Sequence, residues 1–214
     1  MKILVLLLFA FISATMFAQN SIGIRGGVFL AQYNYKINDS SRISNSIFGA
    51  ETGVATKWSF LDKFYIQPEL TFIQKGGDIS NRIVKVNQLE LATLIGYEVQ
   101  LKSISFYINS GVFLGRVLSL SKDEDPFANA AITLSSHDED WDWGFVYGIG
   151  TDMKIGVGKL GFEARYRMSQ NDFRYTTQGT LVGGSIPNPS FFIFLKNRGW
   201  GLNLSYRVPF KMSK

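Results

Sequence analysis

The chain has 214 residues, 46% of them hydrophobic and 14% aromatic, with 22 Lys and Arg against 17 Asp and Glu and no cysteine. That apolar content excludes a disordered chain, and the length suits one domain rather than two. The lack of cysteine excludes disulfides, thiolate metal sites and a thiol nucleophile, while basic residues scattered along the chain, rather than gathered into a stripe, leave nucleic-acid binding unsupported.

Lys2, the apolar run Ile3 to Ile12 and the small residue Ala18 read as an export signal. The run is too short to cross a bilayer, so residues 1–18 are expected to be removed and residues 19–214 to form one domain. No later stretch approaches the roughly 18 apolar residues of a membrane helix, so any crossing falls to strands.

The first expected strand, Ser21 to Tyr33, sets Ile22, Ile24, Val28 and Leu30 against Gly23, Arg25, Gly27 and Ala31, and Phe29 breaks the alternation. A polar stretch from Lys36 to Asn45 reads as a loop. The second strand, Phe48 to Ser59, alternates Ala50, Thr52, Val54 and Trp58 with Glu51, Gly53, Ala55 and Lys57 before a tight turn at Leu61-Asp62-Lys63. The third, Phe64 to Lys75, sets Phe64, Ile66, Leu70 and Phe72 against Tyr65, Gln67, Glu69 and Thr71. Pro68 cannot donate to a ladder and is read as a bulge. Gly76-Gly77-Asp78 opens what reads as a second polar loop, lasting to about Lys85.

The fourth strand, Val86 to Gln100, sets Leu89, Leu91, Ile95 and Val99 against Gln88, Glu90, Leu94 and Glu98, and Lys102-Ser103 forms a turn. Ile104 to Leu118 follows, with Phe106, Ile108, Val112 and Leu114 opposite Tyr107, Asn109, Gly111 and Gly115. After a long acidic connection, Ser119 to Asp140, the sixth strand runs from Trp141 to Lys154. Gly156 and Gly158 mark a turn into the seventh, Leu160 to Ser169, whose polar face carries Glu163, Arg165 and Arg167. A last long connection, Gln170 to Asn197, leads to Gly199 to Phe210, where every even position is apolar and Arg207 stands among the odd ones. Period two throughout is the mark of strands with one greasy and one polar face.

Connections after the first, third, fifth and seventh strands read as long and polar, and those after the second, fourth and sixth as short. An even number of alternating segments with unequal ends predicts an eight-stranded antiparallel up-and-down transmembrane β-barrel in the outer membrane, with both termini periplasmic and long extracellular loops. Charge decides which face points outward. Arg25, Glu51, Glu69, Glu90, Glu163, Arg165, Arg167 and Arg207 all fall on the polar face, where a narrow lumen would let them pair as a charge network. The other face is nearly free of charge. Tyr33, Trp58, Phe64, Phe72, Trp143, Trp200 and Phe210 stand near strand ends, as aromatic girdles would.

Gly23-Ile24-Arg25-Gly26-Gly27, Gln67-Pro68-Glu69-Leu70, Leu89-Glu90-Leu91, Gly111-Val112-Phe113-Leu114-Gly115, Asp142-Trp143-Gly144, Gly148-Ile149-Gly150 and Glu163-Ala164-Arg165-Tyr166 carry a resemblance over essentially all of residues 19–214. In these the chain resembles the small outer-membrane β-barrel family described as porin-like or PorT-like. The resemblance implies an eight-stranded outer-membrane barrel. Ala92 stands where that family often has proline.

Candidates for chemistry are few. His137 is the sole histidine and sits among Asp138, Glu139 and Asp140, without a serine context resembling a nucleophile elbow. Asp123-Glu124-Asp125 and Asp138-Glu139-Asp140 offer carboxylates, but their spacing matches no EF-hand loop. Gly148 and Gly150 lack the strand-to-helix setting of a dinucleotide site. No catalytic residue, cofactor or metal is expected. Phe191 to Leu195 is an apolar run that would either extend the barrel wall or dock a partner. The expectation is a non-enzymatic barrel of structural or binding type, its lumen plugged by side chains, contacting outer-membrane lipid and possible protein partners through its loops, without nucleic acid. The alternatives are a narrow porin-like channel and a membrane-embedded enzyme.

Overall fold

The computed structural model describes residues 20–37, 40–60, 63–79, 82–122, 141–171, 173–177 and 191–210. They form β1 (Asn20–Ile37), β2 (Ser40–Ile43), β3 (Ile47–Phe60), β4 (Phe64–Ile79), β5 (Arg82–Leu101), β6 (Ile104–Lys122), β7 (Trp141–Ile155), β8 (Gly158–Ser169), β9 (Phe173–Thr177) and β10 (Phe191–Phe210). Pairing is antiparallel throughout, in the order β2-β1-β3-β4-β5-β6-β7-β8-β10-β9, and β1 also pairs with β10. That last pairing closes the sheet into an eight-stranded barrel of β1, β3, β4, β5, β6, β7, β8 and β10, leaving β2 and β9 as extensions at one end. The closing ladder runs from Asn20↔Phe210 to Lys36↔Phe194. Closure removes the edges that a sheet in lipid could not tolerate.

The alternation puts apolar side chains on the outside. Phe48 is 75% exposed, Ile24 67% and Ile149 63%, whereas Glu90 and Arg165 are fully buried. A barrel soluble in water would show the reverse, so the outer surface is built for lipid. Among the described residues no helix is long and apolar enough to cross a membrane. The strands do the crossing.

The two ends differ. At one, the turn end, β5 and β6 are joined by Lys102-Ser103 and β7 and β8 by Gly156-Val157. The first residue of each turn has a left-handed backbone, with φ 53° at Lys102 and 58° at Gly156, as a two-residue hairpin requires. The first strand also begins here and the last one finishes here. The opposite, far end carries β2 and β9.

Several expectations are corrected at the far end and in the wall. The stretches 36–45 and 76–85 are mostly strand, since β1 runs to Ile37, β2 adds Ser40–Ile43, β4 reaches Ile79 and β5 starts at Arg82. Only two residues separate β4 from β5, so the connection after the third expected strand is short. Polar composition there marks where strands leave lipid, not where they leave the sheet, because the ladder still satisfies the backbone. The expected connection Gln170 to Asn197 likewise contains β9 and the start of β10, so Phe191 to Leu195 extends the wall, one of the two readings its sequence offered, with its backbone paired to β9.

Pro68 makes no bulge. The β3–β4 register is the same at Ala55↔Glu69 and Trp58↔Ile66, with two rungs missing between, and Pro68↔Thr93 stays in register on the β5 side. A missing N–H removes rungs without adding a residue. The bulge lies instead between Asn87↔Ser119 and Gln88↔Val117, where Leu118 is extra. Finally, Tyr33 faces inward at 1% exposure rather than joining an aromatic girdle.

Candidate functional site in the barrel lumen

Inward positions of narrow barrels must be filled by side chains, and glycines on neighbouring strands make room for the large ones here. A Cβ on Gly96 would lie 2.1 Å from Tyr65, one on Gly150 2.5 Å from Tyr107, one on Gly199 2.6 Å from Phe29 and one on Gly23 2.4 Å from Arg207. Phe29, which broke the alternation of β1, therefore has a floor made for it. It packs with Ala31, Ile47 and Ile73 toward the far end, and a second apolar cluster of Ala92, Leu94, Phe113 and Val146 lines the wall of β5, β6 and β7.

Between these clusters the lumen is ionic. Arg25 Nη2 donates to Glu51 at 2.5 Å and its Nη1 to Glu69 at 2.6 Å. From β8, Arg165 donates to both oxygens of Glu69, at 2.5 and 2.7 Å, and Arg167 Nη1 donates to the other oxygen of Glu51 at 2.5 Å. Gln67 Nε2 adds a bond to Glu69 at 2.6 Å. In the ring of eight strands β4 and β8 stand opposite each other, so the Glu69 to Arg165 fork spans the full bore.

A second group lies toward the far end. Lys75 Nζ sits 2.5 Å from Glu90 and donates to Asp142 at 2.8 Å, which also accepts from Ser169 Oγ at 2.9 Å. The same ammonium lies 4.3 Å from the Phe113 ring centroid, a favourable place for a cation away from water. Arg167 Nε is 3.3 Å from Glu90 and ties this group to the central one.

The third group lies toward the turn end. Arg207 pairs with Asp152 and donates to Gln67 at 3.2 Å. Lys57 pairs with Glu98, approaches Asp152 at 3.8 Å and rests 3.9 Å from the Tyr65 ring centroid. Lys159, at the mouth, donates to Glu98 at 3.1 Å. Between this group and the centre, Asn109 donates to Glu163 at 2.7 Å and to Tyr65 Oη at 3.2 Å.

Charge is balanced inside. Among the described residues the buried cations are Arg25, Lys57, Lys75, Arg165, Arg167 and Arg207, and the buried carboxylates are Glu51, Glu69, Glu90, Asp142, Asp152 and Glu163. Burying any of them unpaired would cost several kcal/mol even after relaxation. Every one has an opposite charge within reach: Glu163, whose partner is Arg165 at 2.8 Å, completes the set.

A protein-family model described as "Outer membrane protein beta-barrel domain" matches residues 17–174. The chain belongs to this family. No curated protein matches it. Among solved structures, this outer membrane barrel is similar to the outer membrane protein OprG from Pseudomonas aeruginosa, at 13% identity and a TM-score of 0.59, covering 92% of this chain and 99% of that one. Neisserial surface protein A (NspA) has 13% identity and a TM-score of 0.48, covering 88% and 97%. The outer membrane protein AlkL has 15% identity and a TM-score of 0.46, covering 92% and 93%. At 13% identity the likeness to OprG is one of fold.

All eight charged residues singled out from the sequence of this outer membrane barrel are buried in its lumen. Sequence reasoning missed Lys75, Asp142 and Asp152 as members of the network, and Asn109, Tyr65 and Gln67 as its neutral links. Their inward parity was the available signal, since each shares the parity of a charged residue on its own or an adjoining strand. His137, Asp123-Glu124-Asp125 and Asp138-Glu139-Asp140 lie outside the described residues, as do residues 1–18. Among the described residues no group of three or more acidic or histidine side chains is placed to hold a metal ion.

Proposed function

We propose that this outer membrane barrel is a non-enzymatic protein of structural or binding type whose lumen is closed by its own side chains and whose far end does the contacting. In this reading residues 1–18 are the export signal, residues 19–214 the barrel domain, and the turn end with both termini faces the periplasm. The supporting observation is the fork from Arg165 to Glu69, at 2.5 and 2.7 Å between opposite strands. An ion entering the bore would have to push this buried pair apart before it could pass. Separating such a pair leaves uncompensated charge in a poor solvent, at a cost of about 3 to 5 kcal/mol.

The unequal ends support the orientation, since barrels of this class keep short turns on the periplasmic side. Planar-bilayer conductance of the refolded wild type tests the closed lumen. The expected record is flat at ordinary voltage, and stable, well-resolved openings would favour a narrow channel instead.

A further inference from the structure

The lumen is electrically neutral, yet the protein is not. Its formal net charge is +5, Lys2 of the export signal included, and the rest of the excess outside the lumen gathers at the turn end. Lys63, Lys102 and Lys154 are all exposed there, one beside each of the three short connections. Lys159 stands at the mouth, and Lys211 and Lys214 follow β10 in the sequence. Against them stand Glu98 and, in the sequence, Asp62 next to Lys63, and Glu98 is already taken by Lys57 and Lys159.

Backbone bonds hold this collar together. Lys154 N donates to Ser103 O at 2.9 Å, which sets Lys154 beside the Lys102 turn, and Glu98 N donates to Lys63 O at 2.7 Å. The same rim is apolar: Val157 is 79% exposed and Leu101 59%, near the exposed Val99, Ile104, Met153 and Ile155 at the ends of β5, β6 and β7. Apolar turn tips beside lysines are the pattern of a surface seated at the boundary between acyl chains and headgroups, where long basic side chains reach up to phosphates.

The far end is different. Its exposed cations, such as Arg116, are matched in the sequence by Asp39, Asp78, Asp172 and the acidic residues between 123 and 140. One end of the barrel is therefore attractive to anions and the other close to balanced.

We propose that the turn end is a binding collar for anionic phospholipid headgroups, with Lys63, Lys102 and Lys154 meeting the phosphates and Val157 and Leu101 seating the rim in the acyl boundary. The proposal rests on the membrane placement above and adds a lipid preference to it. A lysine near an anionic surface is worth about 1 kcal/mol, or roughly fivefold in affinity, and this falls off within a Debye length.

The test is electron spin resonance of the full refolded chain in phosphatidylcholine vesicles doped with spin-labelled phosphatidylglycerol or spin-labelled phosphatidylcholine. The spectrum separates lipid held against the barrel from free lipid. The wild type should prefer phosphatidylglycerol several-fold, and about 0.5 M salt should abolish most of that preference. K63Q/K102Q/K154Q should lose it, while K85Q/R116Q at the far end should keep it. Equal association of the two lipids with the wild type, a preference indifferent to salt, or loss only in the far-end variant overturns the proposal. If no motionally restricted lipid of either kind is seen, the membrane placement fails first and the collar with it. The wild-type salt series decides the matter even if a variant does not refold.

Discussion

Glu69 accepts from Arg25, Arg165 and Gln67, so β1 and β8 are both tied to β4 through one carboxylate. Glu69→Ala strips two guanidinium groups of a partner at once, and Arg165 is fully buried. The expected loss is about 3 to 5 kcal/mol of unfolding free energy, measured by urea titration of the refolded barrel in detergent. A wall residue such as Thr52→Ala should lose far less, since surface substitutions usually stay within about 0.5 kcal/mol. Equal losses in the two variants would count against a tightly coupled network. The charged residues of this network were legible because they share a parity with the polar face of each strand. Their partners were not: Arg165 and Glu69 are 96 positions apart, and only the order and register of the strands bring them together.

At the scale of the strand, glycine and aromatic positions work as a pair. Gly96 lies under Tyr65, whose ring meets Tyr107 edge-on at 6.2 Å, and a Cβ at Gly96 would sit 2.1 Å from the Tyr65 ring. Gly96→Ala is expected to cost about 1 to 3 kcal/mol through overpacking, measured by the same urea titration. The cost should shrink in a Tyr65→Leu background; an unchanged cost would place the strain elsewhere. Strand positions were readable from period two, and the turn-end boundaries agree closely with the structure. The far-end boundaries were misread because a polar stretch can be loop or can be strand projecting into water, and side-chain polarity alone does not distinguish them. Pro68 misled for a related reason. A lost donor can be accommodated by skipped rungs as well as by a bulge, and the choice depends on the neighbouring strand. Phe29, Phe113 and Val146 were obscure because an inward position in a narrow barrel accepts apolar side chains wherever a neighbouring glycine or a second apolar residue gives them a place.

For the molecule as a whole, the unequal ends make a prediction about the cell. A peptide tag inserted in the 123–140 segment should be reachable on intact cells, and a tag inserted between Lys102 and Ser103 should become reachable only after the outer membrane is opened. Labelling of both tags by an impermeant reagent, with and without opening, checks this. The reversed pattern would turn the barrel over and move the lysine collar to the outer leaflet.

The register of the closing ladder has one more implication. Asn20 faces Phe210 directly, so the first and last described residues are neighbours, and the seam between them is a rung like any other. The seam can be formed only once the last strand is present, and until then the backbone edges of β1 and β10 stand unpaired. A short linker could join Asn20 to Phe210 and a new start could be cut at Lys102-Ser103, because the strands form a ring that is closed at either place.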